Sequence, residues 1–299
     1  MKGFLKFVAI FAAILLLSAV LAPVIYDLAP YKYGRIFNRL VMIFSLLAVV
    51  IFVRFRKETF VSYGMDWRKE SLRLFGTGFW TGFGILILFT GISLLAGNAH
   101  VAVRDYPVAV WVRKLVGCLG GAVLIGVMEE FFFRGFVFTR LRDKLFRGSV
   151  PLAMIVTSLF YSTLHFVSLR KPQISADPGF MDSLKLIAAP IQSFADWQAV
   201  WPAFVGLFIF GMVLNYALLR SKSLYPSIGL HAGCVLFIKG AGLFVGFAEK
   251  DIFFWSTKKV YDGVLGWIFL LLIWFLLSKF LKKTVLVPQT AQTLEARIP

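Results

Sequence analysis

Long apolar runs separated by short charged segments set the pattern of the chain. A membrane-spanning helix needs about 20 mostly apolar residues. By that measure eight spans are expected: Phe4–Ile25, Leu40–Val53, Gly76–Leu95, Leu115–Phe138, Pro151–Leu169, Val200–Leu219, Ser223–Phe247 and Val264–Leu281. The second run is short and borrows residues on both sides. Tyr106–Val112 is too short to span and is expected to lie at the membrane interface. The implied fold class is all-α, a polytopic transmembrane helical bundle of about eight spans, with no internal repeat and no soluble domain.

Composition agrees. Of 299 residues, 59% are hydrophobic and only 16% are charged, an excess that excludes an ordinary water-soluble domain, a disordered chain and a fibrous repeat. The net charge of +17 points to the anionic inner face of a membrane, where each nearby Lys or Arg is worth about 1 kcal/mol. Nucleic acid is not expected as a partner, because the cations are split among many short loops. Lys2 and Lys6 before an apolar stretch resemble a signal peptide. Cleavage after Ala22 would place Val20 where a small residue is wanted, so an uncleaved first span is expected. With the N-terminus inside, the inner segments, Arg134 among them, hold about twice as many Lys and Arg as the outer ones. Both termini are therefore expected in the cytoplasm; Arg113, Lys114 and Lys239, near or inside spans, are left out of that balance. Short loops suit a prokaryotic plasma membrane.

Smaller features refine the picture. Cys118 and Cys234 sit in apolar runs and read as two buried free thiols. Gly78-xxx-Gly82 and Gly117-xxx-Gly121 permit close helix packing. The longest outer segment, Arg170 to Gln198, carries Pro172, Pro178, Gly179 and Pro190 and reads as a loop, either a cap over a cavity or a connector. Thr284–Pro299 reads as a polar tail.

Ionisable groups inside spans are expensive and mark functional candidates. The fourth span contains Glu129-Glu130-Phe131-Phe132-Phe133-Arg134-Gly135. Glu130 and Arg134 are four apart and share a helix face. Glu129 points about 100° away from Glu130, so Glu130 is expected to pair with Arg134 while Glu129 faces something else. A plainer reading ends the helix at Met128 and leaves the charges among headgroups; against it, the apolar run continues through Phe138. His165 lies late in the fifth span and His231 inside the seventh, whereas His100 lies in an outer loop. A lone histidine in a bundle is most often an interhelical hydrogen-bonding group. Two of them alongside a buried glutamate suggest a shared site. Counting about 1.5 Å per residue from the inner ends puts Glu129 about 16 Å, His231 about 13 Å and His165 about 21 Å deep, so all three could meet near mid-membrane.

Such a set has two uses. A glutamate in a low-dielectric pocket is a general base for water, and a histidine can stabilise the oxyanion formed when water attacks an amide. The same Glu/His/His set could hold a divalent metal such as zinc, although the HExxH spacing is absent.

Glu129-Glu130-xxx-Arg134 resembles the EExxxR motif of the CPBP (Abi) intramembrane proteases, which include type II CAAX prenyl endopeptidases and bacteriocin-processing and immunity proteins. Tyr161-xxx-His165 is similar to the family's FxxxH motif, with tyrosine for phenylalanine, and His231-xxx-Val235 to its HxxxN or HxxxD motif. The resemblance spans roughly Leu115–Gly240. It implies an intramembrane endopeptidase acting on a membrane-tethered or lipidated peptide, CAAX-like or a leader peptide. Glu129 would activate water, His165 would assist and His231 would stabilise the oxyanion, with Glu130, Arg134 and Tyr161 as structural support. No cofactor is expected to be required. Val235 departs from the motif because it has no hydrogen-bonding side chain, and this favours a rival: a non-catalytic immunity or binding protein derived from such enzymes. A proton-coupled transporter is a third reading, without the repeat symmetry it predicts. The resemblance divides the chain into N-terminal helices with the interfacial segment (1–112), a catalytic helical core (113–247) and a last helix with the polar tail (248–299).

Overall fold

A computed structural model describes residues 2–28, 31–165, 172–248 and 251–282. All eight apolar runs are helical. The helices are α1 (Lys2–Leu28), α2 (Tyr33–Phe55), α3 (Ser71–Leu95), α4 (Val108–Glu130), α5 (Val150–His165), α6 (Phe180–Phe194), α7 (Trp197–Ser221), α8 (Tyr225–Ala241), the single turn α9 (Ile252–Trp255) and α10 (Val264–Phe280). Two short strands, β1 (Ala99–Val101) and β2 (Val245–Phe247), pair antiparallel. The architecture is an all-α membrane bundle. The expected polar tail and the end of the fifth run beyond His165 lie outside the described residues.

The eight-run bundle stands, and three other expectations are corrected. Five helical segments are long and apolar enough to cross a membrane: Val8–Leu28, Tyr33–Phe55, Ser71–Leu95, Val108–Leu145 and Trp197–Ser221. In the other three runs, α8 and α10 have 17 residues each, and α5 is described only as far as His165. For α8 the reason is burial: Pro226–Cys234 is covered on every side by α3, α4 and α7, so its length need not match the lipid. Its apolar run then breaks at Ala241 and continues as β2. Tyr106–Val112 is not a separate interfacial piece, since α4 starts at Val108 directly after Pro107, a residue that suits a helix start. The outer segment is not all loop, because α6 occupies its second half; Pro178 and Gly179 act as its lead-in. Cys118 is half-buried and Cys234 buried, and both are free.

Contacts between the connecting segments divide them into two faces. On one face, Glu58 is bonded to Arg140, the Leu224 amide donates to Gly64 O at 2.9 Å, and Arg220 Nε donates to Leu281 O at 3.0 Å. The Arg140 hydrogen bond holds the Glu58 carboxyl below its ordinary range. On the other face, β1 meets β2, and the Ala248 amide donates to Asn98 O at 2.8 Å. There too α6 docks on α1 and α2 through Ser183 Oγ, 2.5 Å from the Tyr33 hydroxyl. Asp182 ties the start of α6 together. It accepts from Lys185 Nζ at 2.8 Å and from Ser175, and these bonds hold its carboxyl well below the usual range.

Glycines set the depth at which α8 sits. A Cβ on Gly78 would lie 2.0 Å from Pro226 O, and one on Gly229 would lie 2.0 Å from Phe75 O. A Cβ on Gly233 would lie 2.4 Å from Phe79 O, so α3 and α8 touch backbone to backbone, the geometry small residues allow. The second small-residue pattern behaves differently. Gly117 has nothing within 4 Å, and Gly121 meets only the Lys239 ammonium. Gly229→Ala is therefore expected to destabilise the bundle at or beyond the upper end of the ~1–3 kcal/mol range for overpacking. Gly84→Ala, at a site with nothing within 4 Å, should leave it unchanged. Thermal unfolding midpoints of the two variants in detergent check this, and equal midpoints would refute the packing role.

Candidate active site

The helix does not stop at Met128. α4 runs through Glu130 and continues with wider π-type hydrogen bonding over Phe131–Phe138, a variation often found at functional sites. Glu130 and Arg134 are both 0% exposed, which rules out a headgroup location for them. It also removes Arg134 from the loop charges, without reversing their balance. Arg134 Nη1 donates to Glu130 Oε1 at 3.2 Å, and Nη2 reaches Gly211 O on α7 at 3.5 Å. Its guanidinium carbon lies 4.2 Å from the centre of the Tyr161 ring. Tyr161 is fully buried on α5. One cation thus joins α4, α5 and α7.

Glu130 has a second partner that its spacing did not reveal. Its Oε1 lies 2.7 Å from His231 Nδ1 on α8. Since a carboxylate accepts, the Nδ1 proton of His231 is donated to Glu130, and Nε2 is left facing into the site. His165 is held the same way: its Nδ1 lies 2.9 Å from Tyr161 O. A carbonyl only accepts, so Nδ1–H donates and Nε2 again faces inward. Both Nε2 atoms converge on one oxygen. Glu129 Oε2 lies 3.2 Å from His165 Nε2 and 3.8 Å from His231 Nε2.

Access divides the five polar residues into two groups. The side chains of Glu129 and His165 are 20% and 29% exposed, whereas His231 is 4% exposed and Glu130 and Arg134 are sealed. The first pair is partly open to solvent; the others are closed off. Val235, one turn beyond His231, is half-buried and adds no donor. His100 lies exposed on β1, away from this group. Glu129 and both imidazoles are donors of the kind zinc takes. Among the described residues, however, no group of three His, Cys, Asp or Glu side chains is placed to hold a metal ion.

Sequence reasoning missed Asn215. It is fully buried on α7, and its Nδ2 donates to Ser158 Oγ at 3.1 Å and toward Met154 O at 3.5 Å on α5. Ser158 also packs against Gly211, whose carbonyl receives Arg134, so this bond sets the α5–α7 spacing beneath the site. An amide inside the apolar run Val200–Leu219 was the available signal.

Against known proteins, residues 110–237 match the family model described as "Type II CAAX prenyl endopeptidase Rce1-like". No curated protein and no solved structure gives a significant match. The matched segment contains Glu129, Glu130, Arg134, Tyr161, His165 and His231, the residues that carried the motif resemblance. Over residues 110–237, this chain matches the Rce1-like type II CAAX prenyl endopeptidase family.

Proposed function

We propose that the protein is an intramembrane endopeptidase that hydrolyses a peptide bond of a membrane-tethered or prenylated substrate with a Glu129/His165/His231 site. The family match supports intramembrane protease activity in general. The observation that carries the finer reading is the convergence of two imidazole Nε2 atoms on Oε2 of Glu129, whose side chain is partly exposed. Water bound between Glu129 and His165 Nε2 gives a proton to the carboxylate as its oxygen attacks the scissile carbonyl carbon. The carbonyl π electrons move to oxygen and form a tetrahedral oxyanion. His231, whose Nε2 lies 3.8 Å from the same Glu129 oxygen, stabilises that oxyanion. Its Nδ1–H is already committed to Glu130, so it donates through Nε2 only when it carries a second proton, with the Glu130 carboxylate as counter-charge. Collapse of the intermediate breaks the C–N bond, and Glu129 returns its proton to the leaving amine. Glu130, Arg134 and Tyr161 position both histidines. No step uses a metal.

The segments on the face of the inner ends of α2, the α4 extension and α10 hold about twice as many Lys and Arg as those on the other face. On this reading that face is cytoplasmic in a prokaryotic plasma membrane, with both termini on it. Val235 favours a second reading, a non-catalytic binding or immunity protein, since it leaves His231 without the side-chain amide or carboxyl that the motif supplies. Purified protein in nanodiscs, given a dansylated S-farnesyl-cysteine peptide ending in three apolar residues, should release the C-terminal fragment, as read by mass spectrometry. Dialysis against EDTA should leave the rate within about twofold of the untreated enzyme, whereas a rate restored only by added zinc would overturn the metal-free mechanism. If Glu129→Ala and His165→Ala proteins keep full biological effect in cells, the binding reading replaces the enzymatic one.

A further inference from the structure

α3 and α10 touch near the outer face, where Phe89 and Phe269 meet edge to face at 5.6 Å. Toward the inner face a groove of about 750 Å³ opens between them, lined by Arg73, Gly76, Trp80 and Gly84 of α3 and by Leu276 and Phe280 of α10. The four α3 residues recur every three or four positions and so form one continuous strip of the helix. Gly76 and Gly84 leave the room, since a Cβ on either would meet nothing within 4 Å. From Arg73 to Gly84 the strip is about 17 Å long, close to half of a hydrocarbon core of about 30 Å. Arg73 is exposed at the inner mouth, and Lys282 is exposed just past the end of α10. Counted from the Phe89–Phe269 contact, Arg73 lies about 24 Å and Lys282 about 20 Å toward that face, so the two cations stand almost level. Among the described residues no carboxylate pairs with either one: Asp66 is taken by Arg68, and Glu70 makes no ion pair. The groove is also apart from the candidate active site. α8 packs between α3 and the Glu129-bearing α4, and α3 meets α8 through its Gly78 side.

We propose that this groove holds one acyl chain of an anionic phospholipid, with the lipid phosphate against Arg73 and Lys282. A strip one leaflet long, walled by Trp80, Leu276 and Phe280, fits a hydrocarbon chain that starts at headgroup level. Two cations without a counter-charge at its mouth fit a net negative headgroup over a zwitterionic one, as basic pockets between spans do. The guanidinium fork of Arg73 matches phosphate oxygens in particular. The chain fills the gap between α3 and α10, so the bound lipid stabilises the bundle by mass action. It lies on the side of α8 away from Glu129 and takes no part in bond breaking.

Native mass spectrometry of the full-length protein in detergent measures dissociation constants for phosphatidylglycerol and phosphatidylcholine with identical acyl chains. Phosphatidylglycerol should bind at least ~5-fold more tightly, the effect expected of a Lys or Arg beside an anionic headgroup. Arg73→Gln combined with Lys282→Gln, both at exposed positions, should bring the two lipids within about twofold of each other. Gly84→Leu fills the groove and should weaken both lipids by about 10-fold or more, with an unfolding midpoint in lipid-free detergent no lower than that of the unsubstituted protein. Equal binding of the two lipids to the unsubstituted protein, or a preference that survives the double substitution, overturns the proposal. Lipid binding that Gly84→Leu leaves unchanged puts the lipid elsewhere on the surface and overturns it too. Two competitors separate the other occupants. sn-Glycerol 3-phosphate has the phosphate without the chain and should not displace the lipid at about 100-fold excess; displacement would make this a free-anion site. An S-farnesyl-cysteine peptide should not displace it either, and displacement would give the groove to an isoprenoid chain instead.

Discussion

Glu129→Gln is expected to abolish peptide hydrolysis while leaving the bundle folded. The amide keeps the size and planarity of the carboxyl group but cannot take a proton from water, and general-base catalysis contributes about 10²–10⁴-fold. The residual rate should fall at least that far, because the same group also returns the proton to the leaving amine. The fold should tolerate the change because the Glu129 side chain is 20% exposed and glutamine keeps its size beside His165, whereas Glu130 is sealed. Two measurements decide this: turnover of the farnesylated peptide in nanodiscs, and the unfolding midpoint of the same preparation. Retained turnover would remove Glu129 from the mechanism, and a collapsed midpoint would mean that its role is structural. In cells, comparing the termini of membrane proteins between Glu129→Gln and unsubstituted strains would identify the substrate.

Arg134→Met should have the largest effect on stability. Glu130 is sealed from solvent, and Arg134, at 3.2 Å, is its cationic partner on the same helix. Removing one member of a buried pair costs about 3–5 kcal/mol, because the remaining charge stays in a low-dielectric interior. The guanidinium also lies on the Tyr161 ring at 4.2 Å, a contact worth up to about 2 kcal/mol where water is excluded. Adding Glu130→Gln to Arg134→Met should recover much of the loss by removing the stranded charge, although activity should not return, since His231 Nδ1 then lacks its anionic acceptor. Arg134→Lys should rescue poorly, because an ammonium cannot contact Glu130, Gly211 O and the Tyr161 face together. Reversible unfolding in mixed micelles measures all four proteins. An Arg134→Met midpoint equal to that of the unsubstituted protein would refute the bracing role.

Much of this was legible in the chain. Each of the eight apolar runs holds a helix among the described residues, because in a bilayer each backbone N–H and C=O must be satisfied within its own segment. The pairing of Glu130 with Arg134 followed from the helical repeat alone. What failed to be legible was of another kind. α6 is amphipathic and carries Pro190, so it read as a loop; its helix is held by docking on α1 and α2. β2 read as the end of a span, since three apolar residues look the same in a strand and in a helix until a partner strand is known. Lys239 was set aside as a charge near a span end, because nothing in α8 alone reveals that α4 offers a glycine opposite it.

Taken alone, the sequence determined which segments are apolar enough to form helices of a membrane bundle, that two carboxylates and two imidazoles lie within those runs, and that Glu129 and Glu130 face different ways. Those are consequences of hydropathy and of 3.6 residues per turn, which act within one helix. Only the tertiary structure decided that Glu130 braces His231 as well as Arg134, and that both imidazoles present Nε2 to the same Glu129 oxygen. Those facts depend on the depth and rotation of α4, α5 and α8 relative to one another. That depth and rotation are fixed by backbone contacts at Gly78 and Gly229, by the Arg134 bridge and by the Asn215–Ser158 bond, all of them interactions between residues far apart in the chain.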